Sequence, residues 1–318
     1  MVKRKVASES LSLPSISIIT PCLNRVEFIE TAIESILDQD YPKLEHVVVD
    51  GGSTDGTLDV LRRYEHVRLI SEPDEGVYDA LNKGIHMARG EIIGHLNSDD
   101  LYERDVLSEV ARCFVENPDA DMVCGGATVF EEDAGGGATV VAKYSERRDI
   151  ALSVRNMTLG VPLPNARFVR KRFYDRVGVY DTRYRLAADR DFFLRAILAG
   201  ASAVYLDRLV YRYRCHYGSL TIGTRGHQRL DMVQEYLTLA EQYLNGAETD
   251  KDLRRYCRRW HGRETAFAAL VELSRLRVGS AGRYIRRGWR HDLGWPLHLF
   301  TVLLTWLARR SRGAIHRN

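Results

Sequence analysis

Short apolar runs alternate with amphipathic segments over the first 125 residues. ISIIT (Ile16–Thr20) and HVVVD (His46–Asp50) are continuous β-branched runs, typical of parallel strands that are buried on both faces. VRLIS, EIIGHL and DMVCG continue the series. Between the runs, apolar residues recur at helical spacing, as in Ile29, Ile33 and Ile36. Repeated β-α-β units predict an α/β fold with an open, mostly parallel sheet and helices on both faces.

The pattern also predicts where the helices begin and where the alternation stops. Asn24 followed by Glu27 is a capping-box pattern at the start of the first helix, and further helices are expected at about 57–64, 77–88 and 103–114. After Gly125, ATVFEEDAGGGATVVAKY predicts a hairpin with its turn at 134–137. Residues 150–185 are irregular, a helix is expected at about 187–199, and AVYLD and VYRYR read as strands. From His227 onward the pattern is helical.

Composition indicates an ordinary folded protein, with 45% hydrophobic and 28% charged residues among 318. Five scattered cysteines without a CxxC pair favour neither a disulfide framework nor a zinc site, and they suit a reducing compartment. The first 14 residues have no apolar core of a signal peptide, so we expect a flexible lead-in. The net charge of +3 hides an asymmetry, because residues 251–318 carry 16 Lys and Arg against 4 Asp and Glu. The two parts of the chain are therefore expected to meet different partners.

Three predicted strands end in polar segments, namely TPCLN, DGGSTDGT and LNSDD. Open parallel sheets bind ligands beyond the carboxyl ends of their strands, so we expect the three segments to face one crevice. Asp99 and Asp100 directly follow a buried strand. They either cap the helix expected at 103–114 or bind a hard cation, Mg²⁺ or Mn²⁺, together with substrate phosphates. Their spacing does not decide between these interpretations.

The glycines of DGGSTDG allow the backbone to approach a ligand closely at a helix N-terminus, which suits a nucleotide. The segment has neither the GxGxxG of a dinucleotide fold nor the lysine of a P-loop. An Asp-Gly turn that merely starts a helix is the alternative.

TPCLNR, VVVDGGSTDGT and EPDEGVYDALNKGIHMARGEIIGHLNSDD, in this order and spacing, resemble the family-2 glycosyltransferases of the Rossmann-like GT-A fold, notably bacterial polysaccharide and lipopolysaccharide enzymes. The resemblance is close over about 15–130 and weaker to about 220. It implies an inverting, metal-dependent enzyme that moves a sugar from a nucleoside diphosphate sugar, UDP-linked in our expectation, to a hydroxyl group. The acceptor would be a glycan or a lipid-linked glycan.

The resemblance also implies roles for single residues that bind the donor. Pro21 and Leu23 would line the nucleobase pocket, and Asp50 would accept a hydrogen bond from the base. Asp79 and Asn82 would lie near the ribose and the diphosphate.

Asp99 matches the principal metal ligand of the family's DxD element, with Asp100 beside it. The first acid of that element is replaced by Asn97, so we expect weaker metal binding, and we assign Asn97 and Ser98 to the donor sugar or ribose. His216 follows the last predicted strand, where similar enzymes place a histidine near the metal; a structural histidine is the alternative.

The family's catalytic base lies in an ED motif, which LAADRDFFLRA matches with Asp189, while Ala188 replaces the glutamate. A carboxylate within hydrogen-bond reach of the acceptor hydroxyl removes its proton during attack. The alternative is a solvated helix face on which Asp191 pairs with Arg195. Asp191 is the second choice for the base.

Arginine and tryptophan punctuate C-terminal helices with apolar faces, which suits attachment to an anionic membrane surface. The apolar run Leu297–Ala308 has twelve residues, short of the ~20 needed to span a bilayer. We therefore expect a peripheral enzyme on the cytoplasmic face of the cell membrane. An arginine-covered helical subdomain or a homo-oligomer interface is the alternative, and no nucleic-acid partner is expected because no nucleic-acid module accompanies the arginines.

The sequence thus predicts a lead-in at 1–14, a GT-A domain at 15–225 with its nucleotide-sugar half at 15–125 and its acceptor half at 126–225, and a basic helical region at 226–318. Two other functions compete. A sugar nucleotidyltransferase needs a glycine-rich basic loop after the first strand, where TPCLNR offers only Arg25. A membrane-bound scaffold with a vestigial fold is suggested by Asn97 and Ala188.

Overall fold

The computed structural model describes residues 13–133, 135, 137–216, 227–246 and 249–315. Within them, the strands are β1 (Ile16–Cys22), β2 (Leu44–Asp50), β3 (Val67–Ser71), β4 (Ile92–His95), β5 (Leu101–Tyr102), β6 (Met122–Glu132), β7 (Ala138–Tyr144), β8 (Arg167–Arg170) and β9 (Ala203–Arg214). They form one sheet in the order β3-β2-β1-β4-β8-β6-β9-β5, and β7 pairs with β6.

The helices of the first two thirds of the chain are α1 (Ile29–Leu37), α2 (Thr57–Leu61), α3 (Val77–Met87), α4 (Val106–Glu116), α5 (Arg147–Ile150), α6 (Val154–Thr158), α7 (Lys171–Val177) and α8 (Ala188–Leu198), with a 3₁₀ turn at Pro164–Ala166. The remaining helices are α9 (His227–Asn245), α10 (Lys251–Ser274), α11 (Val278–His291) and α12 (Trp295–Ile315).

The expected α/β architecture is confirmed. Strands β3, β2, β1 and β4 pair in parallel, and every residue of β1 is buried. This explains why ISIIT lacks the alternation of a strand with one wet face. The hairpin expected after Gly125 is also present as the antiparallel pair β6 and β7, although Ala134 and Gly136 of its turn lie outside the described residues.

Residues 150–185 are more regular than the sequence indicates. Arg167–Arg170 forms β8, which runs antiparallel between β4 and β6. The strand is only four residues long with arginine at both ends, so its two apolar residues, Phe168 and Val169, give no periodic signal. AVYLD and VYRYR, expected as separate strands, form the single strand β9, which runs through Asp207 and Arg208 and pairs with β6 on either side of an irregularity between Tyr205 and Leu209.

Two predictions about helix starts were wrong. The first helix begins at Ile29 rather than at Asn24, and Asn24 has a positive φ of 51°. Its side chain accepts a hydrogen bond from the Thr54 amide at 2.9 Å, so it joins two loops and does not cap a helix. Helix α4 begins at Val106, and Gln39 Oε1 accepts hydrogen bonds from the first two amides of that helix, which removes the capping interpretation of Asp99 and Asp100.

The chain divides into two compact units. The first unit, called here the sheet unit, comprises the described residues of 13–152 with Leu163–Thr182 and Arg195–Cys215. The second, called the helical unit, comprises Ser153–Pro162, Arg183–Leu194 and the described part of His216–Asn318. The helical unit thus includes two segments that the sequence places in the acceptor half. The predicted boundary at 225 stays a prediction, because residues 217–226 lie outside the described chain.

Helices α9 to α12 give the helical unit its core. Val233, Leu237 and Ala268 form one buried cluster, and Ala266, Ala269 and Trp295 form another. Trp295 lies so close to Gly288 that a Cβ there would come within 2.1 Å of the indole nitrogen, so only glycine fits. That nitrogen donates to Thr265 Oγ1 at 2.8 Å. Among the described helices, none combines the length and the apolar character that crossing a membrane requires.

Candidate active site

The loops that follow β1 and β2 are joined by hydrogen bonds into one rigid element. The amide of Asn24 donates to Ser53 Oγ at 2.7 Å, and the amide of Arg25 donates to Thr57 Oγ1 at 2.8 Å. The amide of Val26 donates to Asp55 Oδ2 at 3.1 Å. Small hydroxylated residues and Asn24 therefore fix the backbone of two strand ends that sequence separates by about thirty positions.

Asp50 ends β2 beneath these loops and is fully buried. Its Oδ2 accepts hydrogen bonds from the amides of Gly52 and Ser53 at 3.0 Å each and from Ser71 Oγ at 2.7 Å. Its Oδ1 is also buried but has no hydrogen-bond partner in the part of the chain that the structure describes. A buried carboxylate oxygen without a hydrogen-bond partner costs free energy of folding. Oδ1 is therefore an acceptor that an N–H or O–H group of a ligand can satisfy.

Glycine at two positions lets this loop form. Gly51 packs so closely on Asp74 that a Cβ there would lie 2.6 Å from Asp74 Oδ2, and Gly52 has a φ of 90°. Asp74 in turn accepts a hydrogen bond from the amide of Gly76 at 2.9 Å. The loops after β2 and β3 are therefore in direct contact.

Cys22 connects this loop element with the segment that follows β4. Burial and the nearby charge of Asp50 raise the pKa of the Cys22 thiol to about 12, so the thiol stays neutral, and Cys22 is hydrogen-bonded to Ser98. Next to Cys22, Pro21 is buried, whereas the side chain of Leu23 is 48% exposed. The three strand-end segments expected to share a crevice are thus neighbours in the sheet unit.

Asp99 lies at the edge of this group. Its Oδ2 is 3.5 Å from Nε of Arg25, and the two side chains are 15% and 25% exposed. Arg25 also contributes to the electrostatics of Cys22. Asp50, Ser98 and Asp99 are therefore gathered around Cys22 and Arg25.

Asp100 points into the protein instead. Its Oδ1 accepts from the amide of Arg214 at 2.7 Å, and its Oδ2 accepts from the Tyr211 hydroxyl and from Nδ2 of Asn97, each at 2.9 Å. Burial and the charge of Asp99 raise the pKa of Asp100 to about 8. Because its oxygens already accept three hydrogen bonds, Asp100 holds the loop in shape, and the geometry favours Asp99 as the residue that meets a ligand.

The donor set therefore offers one partly exposed carboxylate to a cation. Mg²⁺ in proteins is commonly bound by one or two carboxylates and completes its shell with water and substrate phosphates. Asp99 fits that arrangement for Mn²⁺ or Mg²⁺. Asn97 replaces the first acid of the DxD element. Its side-chain NH₂ donates to Asp100, and its backbone amide donates to the Tyr211 hydroxyl at 3.0 Å.

Two residues of β9 that sequence reasoning missed hold the Asp99 loop. Arg214 donates from Nε to the carbonyl of Asp99 at 2.9 Å, from Nη2 to Thr31 Oγ1 at 3.2 Å, and from Nη1 to Glu132. Tyr211, fully buried, bonds to Asp100 and to the amide of Asn97. The sequence does carry a signal, since VYRYR alternates tyrosine with arginine, but only the antiparallel pairing of β5 with β9 shows which residues face the loop.

Asp79 and Asn82 lie on α3. Asp79 accepts from the amide of Glu75 at 3.1 Å and pairs with Lys83 at 3.3 Å, and its side chain is 26% exposed. Asn82 donates to the carbonyl of Tyr180 at 2.8 Å and accepts from its amide at 3.0 Å. Asp79 can still meet a ligand, whereas Asn82 anchors the chain at Tyr180.

The proposed base lies in the helical unit. Asp189 is 9% exposed in the first turn of α8 and accepts from the amide of Arg190 at 2.7 Å. Arg190 donates to the carbonyls of Met157 and Gly160 at 2.7 and 3.1 Å, and its guanidinium lies over the ring of Tyr236.

Glu235 of α9 was also missed by sequence reasoning. It accepts hydrogen bonds from the amides of Arg185, Leu186 and Ala187 at 2.7 to 3.1 Å, just before α8 begins. These bonds fix the segment that carries Asp189. Nothing in the sequence around 185–189 points to a partner almost fifty residues away.

The alternative that this segment is a solvated helix face is wrong, because Asp191 is 2% exposed and most of α8 is buried. Arg195 donates to the carbonyls of Val177 and Val179. His216 is half-buried and lies two positions after the end of β9. Its role as a metal ligand stays a prediction.

Comparison with known proteins defines the family of this chain. Residues 17–178 match the model of "Glycosyl transferase family 2", and the chain belongs to that family. It is 34% identical over 219 residues to a PGL/p-HBAD biosynthesis glycosyltransferase of Mycobacterium bovis BCG, an alignment that covers 66% of this chain and 80% of the relative. The resemblance stated from the motifs is confirmed.

Solved structures confirm the GT-A fold. Residues 1–349 of TarS from S. aureus, solved in complex with UDP-GlcNAc, superpose with a TM-score of 0.58 at 18% identity, covering 89% of this chain and 92% of that one. The mannosyltransferase PcManGT from Pyrobaculum calidifontis, solved in complex with GDP-Man and Mn²⁺, gives a TM-score of 0.60 at 20% identity, covering 94% and 82%.

Proposed function

We propose that this glycosyltransferase uses a uridine diphosphate sugar as donor and transfers the sugar, with inversion, to a hydroxyl of a glycan or lipid-linked acceptor. The observation that carries the proposal is the buried Oδ1 of Asp50, which has no partner among the described residues and lies beneath two cross-linked strand-end loops. The ends of parallel strands are where open α/β sheets bind nucleotides.

Uracil offers a hydrogen-bond donor for Oδ1 of Asp50. Its ring presents an N–H between two carbonyl groups, and that N–H would donate to Oδ1. The exposed side chain of Leu23 and buried Pro21 would supply apolar contacts to the ring. UDP-GlcNAc in TarS makes a uridine donor the first to test, and GDP-Man in PcManGT makes guanosine the competitor.

Asp99 would hold Mn²⁺ or Mg²⁺, which neutralises the charge that develops on the departing diphosphate. The Nε of Arg25 lies 3.5 Å from Oδ2 of Asp99. When a cation binds Asp99, the Arg25 side chain would turn toward the phosphates. Asp79 would contact the ribose or the diphosphate, and the partial exposure of its carboxylate supports this role. Asn97 and Ser98 would contact the donor sugar or ribose. Asn97 would do so through its side-chain Oδ1, because its side-chain NH₂ bonds to Asp100 and its backbone amide bonds to the Tyr211 hydroxyl.

Asp189 would act as the general base. An acceptor hydroxyl is a weak nucleophile near neutral pH, and a fixed carboxylate that removes its proton during in-line attack at the anomeric carbon gives inversion in one step. Support comes from the motif position of Asp189 and from the bonds of Glu235 and Arg190, which fix its turn of α8. The mycobacterial relative is named as a glycosyltransferase of PGL/p-HBAD biosynthesis. For this chain the proposal is the broader one that it acts in the assembly of a cell-surface glycan.

The helical unit would attach the enzyme to the cytoplasmic face of an anionic membrane. Leu297, Phe300 and Leu304 are 72%, 61% and 51% exposed, and their spacing places them along one side of α12. Leu293, just before the helix, is 85% exposed. An exposed apolar strip on a basic helical unit is the pattern of a helix that lies in the headgroup region. A lipid-linked acceptor would be reached from there.

Thermal-shift measurements with UDP, GDP, ADP and TDP, each with and without Mn²⁺, test the donor. A ligand that binds the native state raises its melting temperature. We expect UDP to give the largest shift and Mn²⁺ to increase it. A larger shift with GDP would refute the uridine assignment, and no shift with any nucleotide would refute the donor site.

A further inference from the structure

A cavity of about 460 Å³ opens in the helical unit between the end of α9 and one side of α11. It is lined by Glu241, Asn245, Arg283, Arg286, Arg287, Arg290 and His291. Four of these seven residues are arginines. We propose that this cavity binds a phosphate or diphosphate group.

The sequence of α11 places the arginines together. Positions 283, 286, 287 and 290 follow the i, i+3, i+4, i+7 spacing of one helix face. The opposite face carries Ala281 and Gly288, which are buried, and Tyr284 and Ile285, which pack on the core of the unit. The core contacts of α11 therefore fix its rotation so that the guanidinium groups line the cavity.

The acid of the cavity is already neutralised. Arg287 donates from Nε to Oε1 of Glu241 at 2.6 Å and from Nη2 to Oε2 at 2.9 Å, and His261 bonds to Oε1 at 2.9 Å. Arg287 also donates to Oε1 of Gln234 at 3.0 Å. This network holds Arg287 rigidly as one wall and cancels the charge of Glu241.

The other arginines keep their charge available. Arg283 donates to Ser280 Oγ at 2.8 Å, and Arg286 and Arg290 have neither a hydrogen-bond nor an ion-pair partner among the residues that the structure describes. Three positive charges thus face a cavity whose carboxylate is occupied. Guanidinium groups bind phosphate oxygens bidentately, and a phosphate or diphosphate matches this charge better than a single carboxylate does.

A cation site is the competing interpretation. Ligand atoms of Glu241, His261 and His291 lie within 4.8 Å of one another, a spacing that suits a metal. However, Arg287 already occupies both oxygens of Glu241. A divalent cation would displace that bond and face the uncompensated arginines at close range, where like charges repel. The charge of the cavity therefore favours an anion.

The phosphate can belong to a lipid headgroup or to a soluble molecule, and the chemistry of the cavity is the same for both. The site does not depend on the proposed sugar transfer, because every residue in it belongs to the helical unit. It can be measured on the full chain without a sugar donor.

Calorimetric titration with pyrophosphate, in EDTA and at constant ionic strength, is the first test. EDTA removes any cation that would recruit pyrophosphate to Asp99. The test variant is Arg286→Gln with Arg290→Gln. The matched control is Arg258→Gln with Arg259→Gln, which removes the same charge from exposed positions of α10 that do not line the cavity. All four arginines are exposed, so equal melting temperatures are expected and serve as the folding check.

We expect the test variant to bind pyrophosphate about tenfold more weakly than the unaltered protein, equivalent to about 1.4 kcal/mol, and the control to bind within about twofold. Absence of binding to the unaltered protein would overturn the proposal. So would equal losses in the two variants, because the effect would then be one of overall charge. Stronger binding of Mn²⁺ than of pyrophosphate in a separate titration, abolished by His291→Ala, would identify the cavity as a cation site instead.

Vesicle flotation separates the two sources of phosphate. Phosphatidic acid presents a phosphate monoester, whereas phosphatidylglycerol presents a diester. Preferential recovery with phosphatidic acid, lost in the test variant, would assign the site to a lipid headgroup. Equal recovery with both lipids, alongside tight pyrophosphate binding, would assign it to a soluble phosphate.

Discussion

Ser71 donates a 2.7 Å hydrogen bond to Oδ2 of Asp50, its partner in the pairing of β3 with β2. Together with the amides of Gly52 and Ser53, this bond saturates one oxygen of a fully buried carboxylate. The other oxygen, Oδ1, is left as an acceptor without a partner in the described chain. The fold thus fixes the orientation of Asp50 before any ligand binds, and the proposed recognition of a nucleobase follows from that asymmetry.

Asp99→Asn is expected to weaken Mn²⁺ binding in the presence of UDP by about tenfold or more, because a neutral amide replaces a charged ligand of a hard cation. UDP binding without metal should change little, since the base contacts involve Asp50. Calorimetric titration of Mn²⁺ into the protein–UDP mixture measures the first quantity. If Asp99→Asn leaves the Mn²⁺ affinity unchanged, the cation is not bound at Asp99.

Asp189→Asn is expected to lower kcat by about 10² to 10⁴ and to leave the KM for the donor nearly unchanged, because the base acts on the acceptor hydroxyl. Steady-state transfer assays with a glycan acceptor measure both constants. Asp191→Asn is the matched comparison, since Asp191 is also buried on the same helix. A larger loss for Asp191→Asn would move the base to that residue, and full activity of both variants would refute a carboxylate base on α8.

Leu297→Gln with Phe300→Gln is expected to reduce recovery of the protein with anionic vesicles several-fold, because these side chains would insert among the headgroups. Both are more than half exposed, so the melting temperature should hardly change. Val140→Gln with Val141→Gln removes exposed apolar residues from β7 and serves as the control. Equal recovery of the unaltered protein and both variants would exclude membrane contact through α12.

Glu241→Gln is expected to lower the free energy of unfolding by about 2 kcal/mol near neutral pH. Burial alone would raise the pKa of Glu241, but hydrogen bonds from His261 and Arg287 and the charge of Arg287 lower it to about 2. A folded-state pKa below the unfolded value stabilises the protein above about pH 4.5, and this stabilisation is lost as the pH falls toward 2.

Urea unfolding at several pH values measures that difference. The gap between the unaltered protein and Glu241→Gln should be largest near neutral pH and should shrink in acid. A gap that is independent of pH would show that the Glu241 carboxylate is not held in its charged form by Arg287 and His261.

The sequence predicts the sheet unit well up to about residue 125, because parallel strands buried on both faces produce uninterrupted apolar runs such as ISIIT. It predicts β8 poorly, because Arg167 and Arg170 are at both ends of a four-residue strand. Arg167 is nevertheless 2% exposed and donates to Cys124, and Arg170 donates to the carbonyls of Phe114 and Ala120. Long side chains that satisfy distant carbonyls leave no periodic pattern.

The candidate site shows the same division. Asp50 and Asp99 could be singled out from the sequence, because acids at strand ends are visible in it. The different orientations of Asp99 and Asp100 could not, because they depend on Tyr211 and Arg214, which are more than 110 positions away. Local sequence identifies the polar residues of a strand end, and tertiary hydrogen bonds decide which of them meets a ligand.

Asp50→Asn tests the central claim most directly. Oδ2 accepts three hydrogen bonds, so the amide oxygen must take its place, and the amide NH₂ then presents a donor where Oδ1 presents an acceptor. Calorimetry with UDP should show a 10- to 100-fold loss of affinity, about 1.4 to 3 kcal/mol, with the melting temperature of the free protein nearly retained. Asp59→Asn, at an exposed position of α2, is the control. Unchanged UDP affinity in a folded Asp50→Asn protein would contradict recognition of the nucleobase by Asp50.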